Sequence, residues 1–174
     1  MKKIFFFFFI LFINFSFYSQ AQPGWSDIWD WKDRVTFKIP DNYKLVDTLD
    51  IRMYAVEKDS ITIEMHCVDT KKYIPPIYTV GSMTSAEDTL GVCIDMLLHV
   101  TQGTLKSQRT IRHDGRIGKE TEILYEEYGQ SMIMLNRFYW FNDRLFTFTI
   151  TATPSRKITL YSYKTVLFNS IRFH

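Results

Sequence analysis

Hydrophobic and polar residues alternate along most of the chain after residue 33, and this alternation predicts β-strands. Residues 61–67 are the clearest case, because every second side chain in them is apolar. Alternation over four to eight residues is typical of a strand that buries one face. Together with apolar runs and the turn sequences between them, this alternation predicts seven strands, at residues 34–39, 51–57, 61–68, 105–113, 116–126, 131–141 and 144–152.

Short turn sequences join the later strands into antiparallel hairpins. Asp114-Gly115 is typical of a two-residue hairpin turn, and Gly129-Gln130 and Asn142-Asp143 separate the strands that follow. The segment 131–141 is apolar on both faces, which is typical of a strand in the middle of a sheet covered on both sides. We therefore expect helices on both faces of an antiparallel sheet.

Two segments have the pattern of helices. Thr84-Ser85-Ala86-Glu87 resembles a capping box, and apolar residues follow it at helical spacing as far as Gly103. The second segment, 155–169, comes directly after Thr153-Pro154, which is typical of a helix start. Its pattern also fits a strand, and we interpret it as a helix because a helix must cover the second face of the sheet.

Three stretches resemble the PsbP-like superfamily, the Mog/PsbP-type α/β/α sandwich. They are residues 35–43 (VTFKIPDNY), 139–148 (YWFNDRLFTF) and 166–173 (VLFNSIRF). The resemblance implies an α+β fold in which an antiparallel sheet of about six to seven strands is covered by helices, as in small bacterial secreted members. Members of this family are mostly non-catalytic binding, assembly or accessory proteins. The metal-binding residues of the photosystem branch have no counterpart in this sequence.

The first 21 residues are typical of a secretory signal peptide. Lys2 and Lys3 precede an apolar stretch of residues 4–18, and Ser19-Gln20-Ala21 supplies small residues for cleavage after Ala21. The stretch is shorter than the roughly 20 residues of a membrane-spanning helix. We expect a signal peptide at 1–21, a tryptophan-rich lead at 22–33 and a single PsbP-like domain at 34–174. The expected location is the periplasm or the outside of the cell, with no integral membrane span after cleavage.

Loss of the signal peptide changes the charge of the chain. Removal of Lys2 and Lys3 from the 21 basic residues leaves 19, against 19 acidic residues. A formally neutral protein without a run of basic residues is a poor partner for nucleic acid, because neutralisation of phosphates supplies most non-specific affinity.

The two cysteines, Cys67 and Cys93, have two interpretations. Cys67 falls on the apolar face of a strand and Cys93 on the apolar face of the first helix, so the two side chains could face each other in an oxidising compartment. Packed layers lie about 10 Å apart, however, whereas a disulfide needs Cα atoms within about 7 Å. Two interpretations therefore remain open, a disulfide between the two cysteines and two separate buried thiols.

Residues that could carry catalysis occur without the required arrangement. The histidines lack ligand spacing and no serine lies in a nucleophile elbow. The pairs Glu120/Glu122 and Glu126/Glu127 are interpreted as a solvated sheet edge. We therefore expect no catalytic residue, no metal site and no cofactor, and keep a hydrolase only as a third hypothesis.

Two apolar features have no obvious structural need, namely the tryptophan-rich lead and the stiff segment 73–78. We predict that their side chains form one patch at one end of the sandwich, because a neutral monomer rarely exposes two large apolar patches. The patch consists of Trp25, Trp29, Tyr73, Ile74, Ile77 and Tyr78. It is either a structural plug or a binding site, since Trp and Tyr dominate binding hot spots.

The function expected from these observations is that of an exported non-catalytic binding or accessory protein. Its loops and apolar patch would contact a protein partner in the envelope or outside the cell. The alternative is a carrier that holds a small apolar ligand or lipid between a helix and the sheet.

Overall fold

The computed structural model describes residues 24–30, 32, 34–48, 51–70 and 85–174. Its strands are β1 (Trp25–Asp30), β2 (Val35–Pro40), β3 (Lys44–Asp47), β4 (Ile51–Lys58), β5 (Ile61–Asp69), β6 (Thr104–His113), β7 (Arg116–Glu127), β8 (Gln130–Phe141), β9 (Arg144–Ala152) and β10 (Arg172–Phe173). Its helices are α1 (Ala86–Thr101) and α2 (Lys157–Ser170), and a 3-10 turn (Pro154–Arg156) precedes α2.

Seven strands form the large antiparallel sheet, in the order β3-β4-β5-β9-β8-β7-β6. Tight turns connect β6 to β7, β7 to β8 and β8 to β9, and both residues of the turn between β6 and β7 have positive φ (Asp114 49°, Gly115 73°). That conformation matches the right-handed twist of the flanking strands and explains the Asp-Gly sequence.

The number of strands in the large sheet was predicted, but one of its members was not. The predicted strand at 34–39 is β2, which lies in a second sheet, and β3 completes the large sheet instead. All four residues of β3 are exposed, so the segment has no buried face and no alternation to reveal it.

A small sheet, in the order β1-β2-β10, contains residues 25–30 of the tryptophan-rich lead. All six residues of β1 pair with β2, from Trp25 opposite Pro40 to Asp30 opposite Val35. The apolar residues Trp25, Ile28 and Trp29 do not alternate, and the pattern therefore did not predict this strand.

The large sheet is covered on both faces. Helix α1 packs its Leu90 and Ile94 against Phe138 of β8. Helix α2 and the small sheet share the opposite face, where Phe37 of β2 meets Phe148 of β9 with 5.6 Å between ring centroids. The α/β/α sandwich and the interpretation of 155–169 as a helix are confirmed, although one outer layer is part helix and part sheet.

Helix α1 starts one residue later than the capping pattern indicated. The N-cap is Ser85, whose hydroxyl oxygen accepts a hydrogen bond from the backbone N–H of Asp88. The acidic partner in the cap is therefore Asp88, and Glu87 instead accepts a hydrogen bond from Lys119 of β7 at 2.8 Å. Thr84 lies outside the described residues.

The two cysteines do not face each other. Cys67 lies opposite Phe146 in the sheet register, on the face covered by α2 and the small sheet, whereas Cys93 belongs to α1 on the other face. No disulfide joins them, and burial raises the pKa of Cys93 to about 12. The interpretation that placed them face to face was wrong because it assumed that α1 covers the apolar face of β5.

Among the described residues, none of the helices is long and apolar enough to cross a membrane.

Candidate functional site

A buried ion pair ties the end of β1 to the large sheet. Asp30 is 1% exposed and accepts hydrogen bonds from the guanidinium of Arg52 and, at 3.0 Å, from the hydroxyl of Tyr54, both on β4. Arg52 also donates to Asp47 at 2.9 Å, as does Lys32. A buried charge is tolerated only when it is paired and hydrogen-bonded. This network therefore fixes the orientation of β1 relative to the large sheet.

The network also shifts two pKa values. The hydrogen bonds from Lys32 and Arg52 lower the pKa of Asp47. Burial, followed by the neighbouring Asp30 carboxylate, raises the pKa of Tyr54. Asp47 stays charged and Tyr54 stays neutral over the physiological range, as the ion pair requires.

The two tryptophans of β1 lie on the outer face of the small sheet and have different surroundings. Trp25 packs edge-on against Tyr163 of α2, with 5.4 Å between ring centroids. Trp29 is 61% exposed and stacks on His174, with centroids 4.9 Å apart. Four residues of extended strand separate the two side chains by about 13 Å. Trp25 thus belongs to the packing of the fold, and Trp29 is presented to solvent.

The residues around Trp29 are polar or basic. Thr36 lies opposite Trp29 on β2 and opposite Arg172 on β10, and its hydroxyl is 3.2 Å from Nε2 of His174. We call Trp29, Thr36, Arg172 and His174 the Trp29 surface. Since β1 is the edge strand of the small sheet, this surface borders a strand edge that pairs with no other described strand.

The other half of the predicted patch falls outside the described residues. Tyr73, Ile74, Ile77 and Tyr78 all belong to the segment 71–84, which the structure does not describe. A single patch formed with Trp25 and Trp29 stays a prediction.

A second candidate site surrounds Glu120 of β7, which is 5% exposed. Its Oε2 accepts hydrogen bonds from Arg137 Nη2 and Nε, at 2.7 and 3.2 Å. Its Oε1 lies 2.6 Å from Lys164 Nζ and 2.9 Å from Arg109 Nη2. We call these four residues the Glu120 cluster. Within the cluster, three cations share one carboxylate.

The interpretation of Glu120 and Glu122 as a solvated sheet edge was wrong for Glu120. Helix α2 covers this part of the sheet and brings Lys164 onto the carboxylate. Glu122 is partly buried and accepts a hydrogen bond from the hydroxyl of Tyr161, also on α2, at 2.5 Å. The arginines were not recognised as partners because Arg109 and Arg137 lie opposite Glu120 only once the strand register is known.

The electrostatics of the cluster favour a charged Glu120. Burial by itself disfavours ionisation, but the hydrogen bonds from Lys164 and Arg137 outweigh it and lower the pKa of Glu120. Arg137 is held on two further sides, because its Nη1 donates to the carbonyl of Phe168 at 2.7 Å and its guanidinium lies 4.5 Å from the centre of the Phe168 ring. The cluster is therefore rigid as well as charged.

A pocket of about 240 Å³ opens beside the Glu120 cluster, between α2 and the sheet. Its walls include Arg109, Arg137, Lys164, Tyr161 and Phe168. Cations and aromatic rings form this lining, which suits binding of an anionic group. In the described part of the chain, no group of three His, Cys, Asp or Glu residues is placed to hold a metal ion.

Comparison with known proteins identifies the fold. The chain is similar to the solution structure of cyanobacterial PsbP (CyanoP) from Synechocystis sp. PCC 6803, with a TM-score of 0.63 and 14% sequence identity over 92% of this chain and 98% of that one. The chain has the PsbP-like fold. The resemblance of residues 35–43, 139–148 and 166–173 is thereby confirmed at the level of the fold.

Two further solved structures are similar at lower scores. PA94 from Pseudomonas aeruginosa, a protein of unknown function, has a TM-score of 0.47 and 11% identity over 81% of this chain and 92% of that one. A protein from Bacteroides thetaiotaomicron has a TM-score of 0.46 and 8% identity over 81% of this chain and 45% of that one. No protein-family model and no curated protein matches the chain.

Proposed function

We propose that this PsbP-like protein is an exported, non-catalytic accessory protein that binds a protein partner through the Trp29 surface. The observation that carries the proposal is the exposure of Trp29, a large aromatic side chain that is 61% accessible on an anchored strand. Trp is the residue type most enriched at the energetic centres of protein interfaces.

Preorganisation supports a binding role for this residue. Asp30, next in the chain, is locked to Arg52 and Tyr54, and Trp29 itself stacks on His174. Because the strand and the ring are already ordered, little conformational entropy is lost when a partner covers them.

The surroundings of Trp29 favour a partner segment that is extended and acidic. The edge of β1 that no described strand pairs with offers backbone groups to an added strand. Lys38 and Arg172 lie on the same outer face of the small sheet. Asp27 offsets part of this positive charge, since its carboxylate is 3.7 Å from Lys38. The occupant we propose is a β-strand of another protein that carries carboxylates beside an apolar residue.

Neighbouring residues of the lead have different surroundings. Ile28 and Asp30 point inward and are buried, and Trp25 packs against α2. Deletion of the whole lead would therefore remove fold and surface together. A single substitution at Trp29 separates the two.

The test is a quantitative pull-down from the envelope fraction with the full-length gene product, the Trp29→Ala variant and a Tyr128→Ala control. Tyr128 is an exposed aromatic residue in the turn between β7 and β8, far along the chain from the lead. We expect a saturable partner whose affinity falls by at least about tenfold with Trp29→Ala and is retained by Tyr128→Ala. Equal recovery by all three proteins, or recovery of nothing, would contradict the proposal.

The alternative of an apolar-ligand carrier stays a prediction. The pocket beside the Glu120 cluster has cationic walls and favours an anionic ligand over an apolar one. Native mass spectrometry of gently purified protein tests the alternative, and a clean apo mass without uptake of lipid would exclude it.

A further inference from the structure

We infer that the pocket beside the Glu120 cluster binds a small organic molecule that carries an oxyanion, such as a carboxylate or a phosphate monoester. This inference is independent of the Trp29 surface, because the two sites share none of their residues and the pocket would serve a different class of ligand.

Charge is the first argument for the inference. Arg109, Arg137 and Lys164 surround the single carboxylate of Glu120. Glu122 brings a second negative charge nearby, but Tyr161 already donates to it. One net positive charge is left among these five ionic side chains. An anion in the pocket would balance it, and charges that are partly removed from water gain most from such a counterion.

Hydrogen-bond donors are the second argument. Arg109 uses one of its five N–H groups on Glu120, and its side chain is 66% exposed at the pocket. Lys164 directs its ammonium group, which has three N–H groups, to the same carboxylate oxygen. Both residues retain donors for a ligand oxygen, and charge-assisted hydrogen bonds of this kind are the strong ones.

The shape and lining of the pocket are the third argument. Arg137 is clamped by Glu120 and by the carbonyl of Phe168, so one cationic wall is already in place before a ligand arrives. The rings of Tyr161 and Phe168 lie 5.5 and 5.9 Å from Lys164 Nζ. A pocket that combines a few fixed charges with aromatic walls is typical of a small-molecule site. The aromatic rings would contact the organic part of the ligand, and the cations would bind its oxyanion.

The experiment is isothermal titration calorimetry of the full-length gene product with phenyl phosphate, benzoate and benzyl alcohol in a buffer without phosphate. We expect saturable binding of at least one of the two anions and none of benzyl alcohol, which has the ring without the charge. Raising the salt concentration should weaken the binding, because part of the site is exposed to solvent. Failure of both anions to bind would overturn the inference.

Matched variants then locate the binding. Arg109→Gln removes a cation of the pocket, and Arg112→Gln removes an exposed cation of the same strand, β6, on its other face. We expect Arg109→Gln to weaken binding by about tenfold or more and Arg112→Gln to leave it nearly unchanged. Equal affinities for Arg109→Gln and the parent protein, or equal losses in the two variants, would overturn the inference. Lys164→Gln provides a second pocket variant if Arg109→Gln does not fold.

Discussion

At the scale of single residues, the meaning of a charged side chain depends on what the fold places opposite it. Glu120 has an ordinary sequence context, since it is one of four glutamates in β7. Register puts Arg109 and Arg137 on its two sides, and α2 adds Lys164. The sequence pattern indicated that the Glu120 carboxylate lies at a solvated sheet edge, whereas in the structure it is the centre of a buried ion cluster.

Replacing Glu120 should therefore be far more damaging than replacing a neighbour on the same strand. Glu120→Gln keeps the shape of the side chain but leaves three cations without their counterion, and we expect the free energy of unfolding to fall by about 3–5 kcal/mol. Glu126→Gln, at an exposed position of β7, should change it by less than about 0.5 kcal/mol. Urea denaturation of both variants measures the difference, and equal stabilities would contradict the assignment of the cluster.

The pH dependence of stability gives a second test of Glu120. Its pKa in the folded protein lies below the usual value of 4.5, so ionised Glu120 stabilises the fold above that value. As the pH falls, Glu120 is protonated in the unfolded state before it is protonated in the folded state. The stabilisation is therefore lost as the pH falls towards and through the lower pKa of the folded state. We expect the parent protein to lose stability as the pH falls below about 4.5 and Glu120→Gln to show a flatter profile. Identical slopes would show that Glu120 is not the group responsible.

At the scale of elements, strands with a buried apolar face were predicted from their pattern, and exposed β6 was predicted beside the hairpin turn Asp114-Gly115. Strands β1 and β3 have neither signal and were missed. The alternation from Ile61 onward and the double apolar pattern of β8 indicated strands in the interior of the sheet, and both are found there. Strand β3 was missed because all its residues are exposed. Strand β1 was missed because its buried residues, Ile28 and Asp30, include a charged one, and a buried aspartate has no apolar signature in the sequence.

The ion pair of Asp30 should control the attachment of β1. Asp30→Asn removes the buried carboxylate that joins β1 to Arg52, and we expect amide hydrogens of β1 to exchange markedly faster while those of β8 stay protected. The matched control is Asp27→Asn, because Asp27 lies on the same strand and is exposed. Hydrogen exchange read out by mass spectrometry compares the two. Unchanged protection of β1 in Asp30→Asn would show that backbone pairing with β2 suffices.

At the scale of the whole molecule, the layered architecture was predicted from the sequence, but the elements that make up each outer layer were not. A central sheet with helices on both faces was predicted from residues 131–141, which are apolar on both sides. The alternation of apolar residues is a local pattern, and it could not show that the small sheet occupies part of one face beside α2. The small sheet forms by long-range pairing of β1, β2 and β10, which joins the two ends of the described chain. The Trp29 surface depends on this pairing, which is why it includes His174.

The arrangement of layers has a consequence for the two thiols. Because Cys67 and Cys93 lie on opposite faces of the large sheet, we expect no disulfide between them even after exposure to oxidant. Alkylation of the native protein at pH 8 should be slow, since burial raises the pKa of Cys93 to about 12 and keeps the thiol protonated. Alkylation after unfolding without reductant should label both cysteines. A mass that shows an intramolecular disulfide would contradict the placement of the two residues.

The central claim is that the Trp29 surface binds a protein partner. Site-specific photo-crosslinking in living cells tests this claim most directly. A photoreactive phenylalanine derivative would replace Trp29 in one variant and Tyr128, the exposed aromatic control, in another. We expect a discrete crosslinked adduct with one protein from position 29 and none from position 128. The same adducts from both positions, or no adduct from position 29 in correctly folded protein, would contradict the claim.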